Sequence, residues 1–129
     1  MNPPFEVLKL SEIDKDRLTK IKRATAIPTM NIICRWALTI GLNQAESYSQ
    51  GRADDPKALE IKWPVFSGDF SDVISSLIYR EFEKQGKRTA FKSAGDFAHS
   101  KIKLGLAILA RPGTVRSLED FARYSFKDF

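Results

Sequence analysis

The chain has 129 residues, of which 43% are hydrophobic and 29% are charged, a balance typical of a globular protein and not of a disordered one. Its single cysteine, Cys34, excludes an intrachain disulfide. The longest apolar stretch, Leu104–Ala110, is far shorter than the roughly 20 residues of a membrane-spanning helix. The first residues also lack the pattern of a signal peptide, so we expect a cytoplasmic protein without a membrane segment. The formal net charge of +5 and the pI of about 9.4 leave open a solvated basic surface, nucleic acid, an acidic partner or an anionic lipid surface.

The first part of the chain is predicted to form a strand and two helices. The strand covers Phe5–Leu10. A helix follows over Ser11–Thr25, because Ser11 can cap its first N–H groups and Pro28 disfavours helix beyond it. A second helix over Thr29–Leu42 is apolar on nearly every side. We therefore expect it to be buried against several neighbours, among them another subunit.

The rest of the chain is predicted to be mainly helical. Gly and Pro positions and apolar spacing indicate the boundaries of the elements. In order these are a polar loop over residues 43–58, a short strand over Leu59–Trp63, a turn over Phe66–Asp69, and helices over Ser71–Gln85, Ala94–Ala110 and Ser117–Tyr124. The predicted fold class is therefore mainly α, with a strand-helix-helix start followed by a helical bundle that contains one or two short strands.

The strand-helix-helix start has the order of a ribbon-helix-helix protein. In that arrangement the strands of two subunits pair, and the paired ribbon can enter a DNA groove. Lys9 is the only basic residue on the predicted strand, and one basic side chain offers few contacts with base edges. A transcription regulator that binds intact operator DNA is therefore kept as an alternative function.

Positive charge is clustered in two segments. An apolar stripe that includes Ile13 and Ile21 defines the buried side of the first helix, and basic residues lie off this stripe. They are Lys15, Lys20, Lys22 and Arg23. A second cluster, over residues 84–103, contains one acid, Asp96, and six basic residues. They are Lys84, Lys87, Arg88, Lys92, Lys101 and Lys103. Either cluster can neutralise phosphates without reading bases, and either can be an ordinary solvated surface.

No catalytic constellation is evident in the sequence. Cys34 lies in the apolar second helix, and Arg35 points about 100° away from it round the helix, so Cys34 is predicted to be a buried structural residue. His99 has no cysteine or other histidine at metal-ligand spacing, which favours a structural or DNA-facing role. The sequence also lacks a phosphate-binding loop and a dinucleotide fingerprint. We therefore expect no enzymatic activity, no cofactor and no metal site.

Several motifs together resemble the DndE family of bacterial DNA phosphorothioation systems. The second helix, Asn31-Ile32-Ile33-Cys34-Arg35-Trp36-Ala37-Leu38, is similar to the family stretch N-x-x-C-R-x-A-L. The preceding basic helix, Leu18-Thr19-Lys20-Ile21-Lys22-Arg23-Ala24-Thr25, is similar to L-x-x-L-K-R-R-T. Phe66-Ser67-Gly68 resembles a strand-turn-helix step. His99, Gly105 and Leu109 resemble a closing H-x-x-x-G-x-x-L-L region, with two residues inserted between His99 and Gly105.

This resemblance, which covers roughly residues 8–110, implies a function. It implies one DndE-like DNA-binding domain over residues 1–129, assembled as a homotetramer. It implies a non-catalytic subunit that prefers nicked double-stranded DNA, binds it through surface lysines, and works beside the other subunits of the sulfur-modification machinery. Position by position, the best candidates for DNA contact are Lys15, Lys20, Lys22 and Arg23. A nickase, a sulfur carrier that uses Cys34, and a scaffold that binds only protein remain alternatives.

Overall fold

The computed structural model describes residues 2–45, 57–86, 89–114 and 117–126. The prediction of a mainly helical chain with a strand-helix-helix start is confirmed. The elements are β1 (Val7–Ser11), α1 (Glu12–Thr25), α2 (Met30–Leu42), β2 (Lys57–Lys62), α3 (Trp63–Ser67), a 3-10 turn (Gly68–Phe70), α4 (Ser71–Gln85), α5 (Ala94–Leu109) and α6 (Leu118–Phe126). None of the described helices has the length and apolar character needed to span a bilayer.

The two strands form one antiparallel sheet within the chain. Val7 pairs with Lys62 and Leu10 with Leu59. The opposite edge of β1 is also occupied, because the backbone N–H of Lys9 donates to Nε2 of His99 on α5 over 3.2 Å. In the ribbon-helix-helix alternative this strand pairs with its copy in a second subunit, whereas in the structure β1 pairs with β2 of the same chain. Residues 57–58 are predicted to be the end of a loop, but in the structure they are the first residues of β2, the partner of β1.

Helix α1 begins and ends where the sequence predicts. The N–H and Oγ of Ser11 each donate to Oδ2 of Asp14 over 3.0 Å, and the N–H of Asp14 donates back to Ser11 Oγ. This reciprocal capping satisfies N–H groups that have no partner inside the helix. Ala26, at φ 60°, ends the helix in the left-handed conformation. Ile13 departs from the prediction, because it is 50% exposed and lies outside the buried stripe.

The core is built on the crossing of α2 and α5. Ile33 and Leu38 of α2 and Leu106 of α5 are almost fully buried. Two glycines allow the close approach. A Cβ on Gly41 would lie 1.9 Å from the carbonyl oxygen of Lys101, and a Cβ on Gly105 would lie 1.9 Å from that of Ala37. The chain itself therefore buries much of α2, and the expected contact of this helix with another subunit stays a prediction.

The segment before α4 differs from the predicted turn. Trp63–Ser67 forms a short helix that begins with Pro64, a residue suited to the first turn. Trp63 and Phe66 are buried and pack on Phe5, with ring centroids 4.9 and 5.5 Å away. The turn itself falls one step later, at Gly68, whose φ of 55° favours glycine. The aromatic cluster explains why a helical turn replaces a simple reverse turn here.

Candidate nucleic-acid interface

The second half of α1 presents basic side chains on an exposed surface. Lys20 and Arg23 are exposed, and Lys22 is half-buried. Lys15 is also exposed, two turns earlier and seven residues before Lys22, a spacing that keeps both on one side of the helix. We call the surface formed by Lys15, Lys20, Lys22 and Arg23 the α1 basic surface. All four sequence-predicted residues therefore lie on the solvent side of the same helix.

Two shallow hollows flank Arg23. The first is lined by Asp16, Thr19, Lys20, Arg23 and Ala24. The second is lined by Thr19, Lys22, Arg23, Ala26, Ile27, Pro28 and Met30. Arg23 and Thr19 belong to both, so the two hollows adjoin at the end of α1, and we call them together the concave strip. Its floor is wide and open, which suits a polymer backbone better than an enclosed small molecule.

The second hollow also includes the first residue of α2. The first N–H groups of a helix have no intrahelical partner and carry partial positive charge. At α2 these N–H groups have no side-chain cap from Thr29, and the first turn contains no acidic residue that would offset their charge. The beginning of α2 therefore adds positive potential beside Lys22 and Arg23. Helix beginnings of this kind are favourable for phosphate.

The cations of the α1 basic surface are not neutralised within the described residues. No carboxylate there lies within 4.0 Å of the ammonium or guanidinium groups of the four residues. Asp16 is the one acid in the concave strip. Placed near the end of α1, Lys22 and Arg23 also interact favourably with the negative end of the helix dipole. The positions of Lys22 and Arg23 are therefore compatible with the stability of the helix that carries them.

Two members of the second basic cluster, Lys101 and Lys103, make contacts with other parts of the chain. Lys101 is only 1% exposed, and its Nζ donates to the backbone oxygen of Gln44 over 2.7 Å. The side chain of Lys101 is therefore buried, and its prediction as a surface cation that contacts DNA is wrong. Lys103 lies 3.8 Å from Oδ2 of the buried Asp14.

Two of the other four members of the second cluster lie among the described residues. Lys84 pairs with Glu81 over 3.1 Å on α4, with its side chain 58% exposed. Lys92 is exposed before α5. Lys87 and Arg88 lie outside the described residues. Among the described members, Lys84 and Lys103 each lie near a carboxylate, whereas the four cations of the α1 basic surface do not, and this difference favours α1 as the candidate interface.

His99 has a structural position between α5 and the sheet. Its Nδ1 lies 2.9 Å from the carbonyl oxygen of Gly95, while its Nε2 accepts the N–H of Lys9. These two contacts together require a neutral ring with the proton on Nδ1. Burial lowers the pKa of His99, and the nearby positive charge of Lys103 lowers it further. The ring therefore joins α5 to β1 as a neutral hydrogen-bonding group.

Cys34 lies in the core and is fully buried. Burial, with the negative charge of Asp14 adding to it, raises the pKa of the Cys34 thiol to about 12. Nucleophilic sulfur chemistry requires the thiolate, which is scarce at neutral pH when the pKa is so high. The structure agrees with the prediction of a buried cysteine at this position.

We expect Cys34 to resist alkylation in the native protein. At pH 8 the thiolate fraction implied by the raised pKa is on the order of a thousandfold below that of an unfolded chain. Iodoacetamide labelling followed by mass spectrometry should therefore modify the chain in guanidinium and leave it almost unmodified without denaturant. Rapid labelling of the native protein would contradict this account and favour a reactive cysteine.

Sequence reasoning missed two parts of the candidate interface. Thr19 lines both hollows, and the uncapped beginning of α2 lines the second. A signal for Thr19 was available, because it lies four residues before Arg23 and therefore on the same side of the helix. The position of the beginning of α2 depends on the α1–α2 corner, where Ala26 adopts a positive φ that spacing alone does not predict.

The fold and the site together define a small, mainly helical protein with a short sheet and a contiguous cationic surface on its first helix. Comparison with known families gives the next step. The model of the family described as DNA sulphur modification protein DndE matches residues 7–120, so the chain belongs to the DndE family and to DNA sulphur modification. No curated protein and no solved structure matches the chain in the same comparisons.

Proposed function

We propose that this protein is a non-catalytic DNA-binding subunit of a bacterial DNA phosphorothioation system, acting in the cytoplasm beside the other subunits of that machinery. It binds double-stranded DNA, with a preference for nicked duplex, as a homotetramer. The observation that carries the proposal is the α1 basic surface, whose cations have no carboxylate partner among the described residues. Family membership supports the DNA-modification setting.

Phosphate contact is the chemistry that this surface supports best. Lys22 and Arg23 border one hollow with the uncapped beginning of α2, whose dipole opposes that of the end of α1, so the two full charges supply the attraction for an anion. Lysine and arginine bind backbone phosphates in any sequence and release condensed counterions on binding. Asparagine and glutamine, which read adenine edges bidentately, do not line these hollows, and Arg23 is the one arginine there that can read guanine. Binding is therefore expected to depend on charge and DNA shape.

A preference for nicked DNA follows if the assembly bends its substrate. A nick interrupts one backbone and lowers the energy required to deform the duplex at that point. Several copies of the α1 basic surface, held at fixed positions in a tetramer, would engage phosphates that lie on one side of a bent duplex. The higher affinity for nicked duplex then comes from the lower energy of bending it and not from an additional protein contact.

The test is direct binding of the wild-type chain to three DNAs of one sequence: intact duplex, the same duplex with a single nick, and the single strand. We expect tightest binding to the nicked duplex, and unrelated duplex sequences should behave alike. A regulator of intact operator DNA would instead bind one intact sequence far more tightly than others and gain nothing from a nick. Absence of binding to all three DNAs at low salt would overturn the proposal and leave a protein-binding scaffold.

A further inference from the structure

The corner between α1 and α2 has an unusual backbone. Ala26 lies there at φ 60° and ψ 18°, and it is the one residue other than glycine with a positive φ in the described part of the chain. A Cβ disfavours this left-handed conformation, so a residue that keeps it is held by its surroundings. Pro28 disfavours helix at Ile27 but has no N–H with which to make a hydrogen bond of its own. Other groups must therefore hold the corner.

The hydroxyl of Thr25 holds the corner from the inside. Its Oγ1 donates to the carbonyl oxygen of Ile21 over 2.9 Å and accepts the N–H of Ile27 over 3.3 Å. Thr25 is 3% exposed and Ile27 9%, so water does not readily replace the hydroxyl as the partner of the Ile27 N–H. One buried side chain therefore connects the last turn of α1 with the residue that follows Ala26.

The segment that this hydroxyl spans carries two cations of the α1 basic surface. Lys22 and Arg23 lie between the two residues that Thr25 joins. The carbonyl oxygen of Lys22 also accepts the N–H of Ala26 over 2.8 Å. Both cations line the hollow at the corner, which Ala26 and Ile27 also line. The conformation of the corner therefore sets where the two cations stand in this hollow.

We propose that Thr25 is a positioning residue for DNA binding. It is too buried to touch a phosphate, so it acts through Lys22 and Arg23, by keeping the last turn of α1 in one conformation in the absence of DNA. Cations on a turn that moves must be ordered on binding, and this ordering lowers affinity. The role rests on the proposed function, because it requires that the α1 basic surface binds DNA. It adds that this surface is preorganised by a residue without a DNA contact of its own.

The decisive variant is Thr25→Val, which keeps the branched shape and removes both hydrogen bonds of the hydroxyl. We expect its affinity for nicked duplex to be weaker on the order of fivefold. Thr25→Ser keeps the hydroxyl and should bind nearly as tightly as the wild type. Thr39→Val is the matched control, because the Thr39 hydroxyl donates to the carbonyl oxygen of Arg35 over 3.2 Å in the second half of α2, away from the corner. It should keep the wild-type affinity.

Two further measurements separate positioning from stability. Affinity is measured well below the melting temperature of each variant, so that a role in stability alone lowers that temperature and leaves the affinity unchanged. Thr25→Ala, an unbranched and better helix former, repeats the removal of the hydroxyl if valine disturbs folding. In the background of Lys22→Ala with Arg23→Ala, Thr25→Val should cost little further affinity, because the side chains that Thr25 positions are gone.

Three outcomes would overturn the positioning role while leaving DNA binding in place. They are a wild-type affinity in Thr25→Val, an affinity in Thr25→Ser as low as that in Thr25→Val, and an equal loss from Thr25→Val in the background without the two cations. Absence of DNA binding by the wild type at low salt would overturn the proposed function and the positioning role together.

Discussion

Replacing Lys22 and Arg23 together with alanine is expected to weaken DNA binding on the order of 50-fold at about 0.1 M salt, if each side chain neutralises one phosphate. The two residues border the same hollow as the beginning of α2, so the substitution removes the two full charges that attract an anion there. The loss should be about equal for unrelated sequences, because phosphate contacts carry no base information. Fluorescence anisotropy with labelled nicked duplex measures it.

The matched control for this double variant is Lys84→Ala with Lys92→Ala. Both control lysines are exposed and the net charge falls by the same amount, but they lie in the second basic cluster. The control should bind nearly as tightly as the wild type. Both double variants should unfold at nearly the wild-type temperature, since alanine is a good helix former and none of the four side chains lies in the core. A larger loss in the control would move the DNA contact away from α1.

Gly105→Ala is expected to destabilise the fold by about 3 kcal/mol, or to lower the melting temperature by roughly 10 °C. In an ordinary helix interior this change is stabilising by about 1 kcal/mol, so the expected effect has the opposite sign. The reason is the crossing of α2 and α5, where the added Cβ would lie 1.9 Å from the carbonyl oxygen of Ala37. A backbone atom cannot move aside as the end of a flexible side chain can, so the helices must separate.

Gly86→Ala serves as the control for this prediction. Gly86 has a positive φ of 51° and nothing within 4 Å of an added Cβ. Its cost should come from backbone strain alone, about 1–2 kcal/mol, because φ 51° with ψ −128° favours glycine. Thermal and urea unfolding of the two variants give the comparison. Equal stabilities would mean that α2 and α5 do not approach as closely as the structure has them.

The sequence predicts the helices well because their signals are local. Ser11 and Asp14, which cap each other at the beginning of α1, are only three residues apart in the sequence. Gly86 directly follows the last residue of α4, as the sequence predicts. The partner of β1 is harder to predict, because β2 lies some 50 residues later and the ladder depends on how α1 and α2 return the chain. A strand-helix-helix order alone cannot distinguish a partner strand in the same chain from one in another subunit.

The sequence does not predict well which basic side chains are buried. Lys101 is predicted to be a surface cation because it lies in a basic segment. In the structure its Nζ donates to the backbone oxygen of Gln44, a residue 57 positions earlier in the chain. A local signal existed, since Lys101 lies four residues after Phe97 and four before Gly105, both on the buried side of α5. In α1, Lys22 also follows a buried residue, Leu18, by four positions and is half-buried, whereas Lys15, Lys20 and Arg23 are exposed as predicted.

The central claim is that the α1 basic surface binds DNA through phosphates. The measurement that tests it most directly is the salt dependence of binding to nicked duplex, wild type against Lys22→Ala with Arg23→Ala. We expect the logarithm of the wild-type affinity to fall linearly with the logarithm of salt. The slope of the double variant should be smaller by about 0.9 for each phosphate that a protomer no longer neutralises. An identical slope and affinity in the two proteins would contradict the claim.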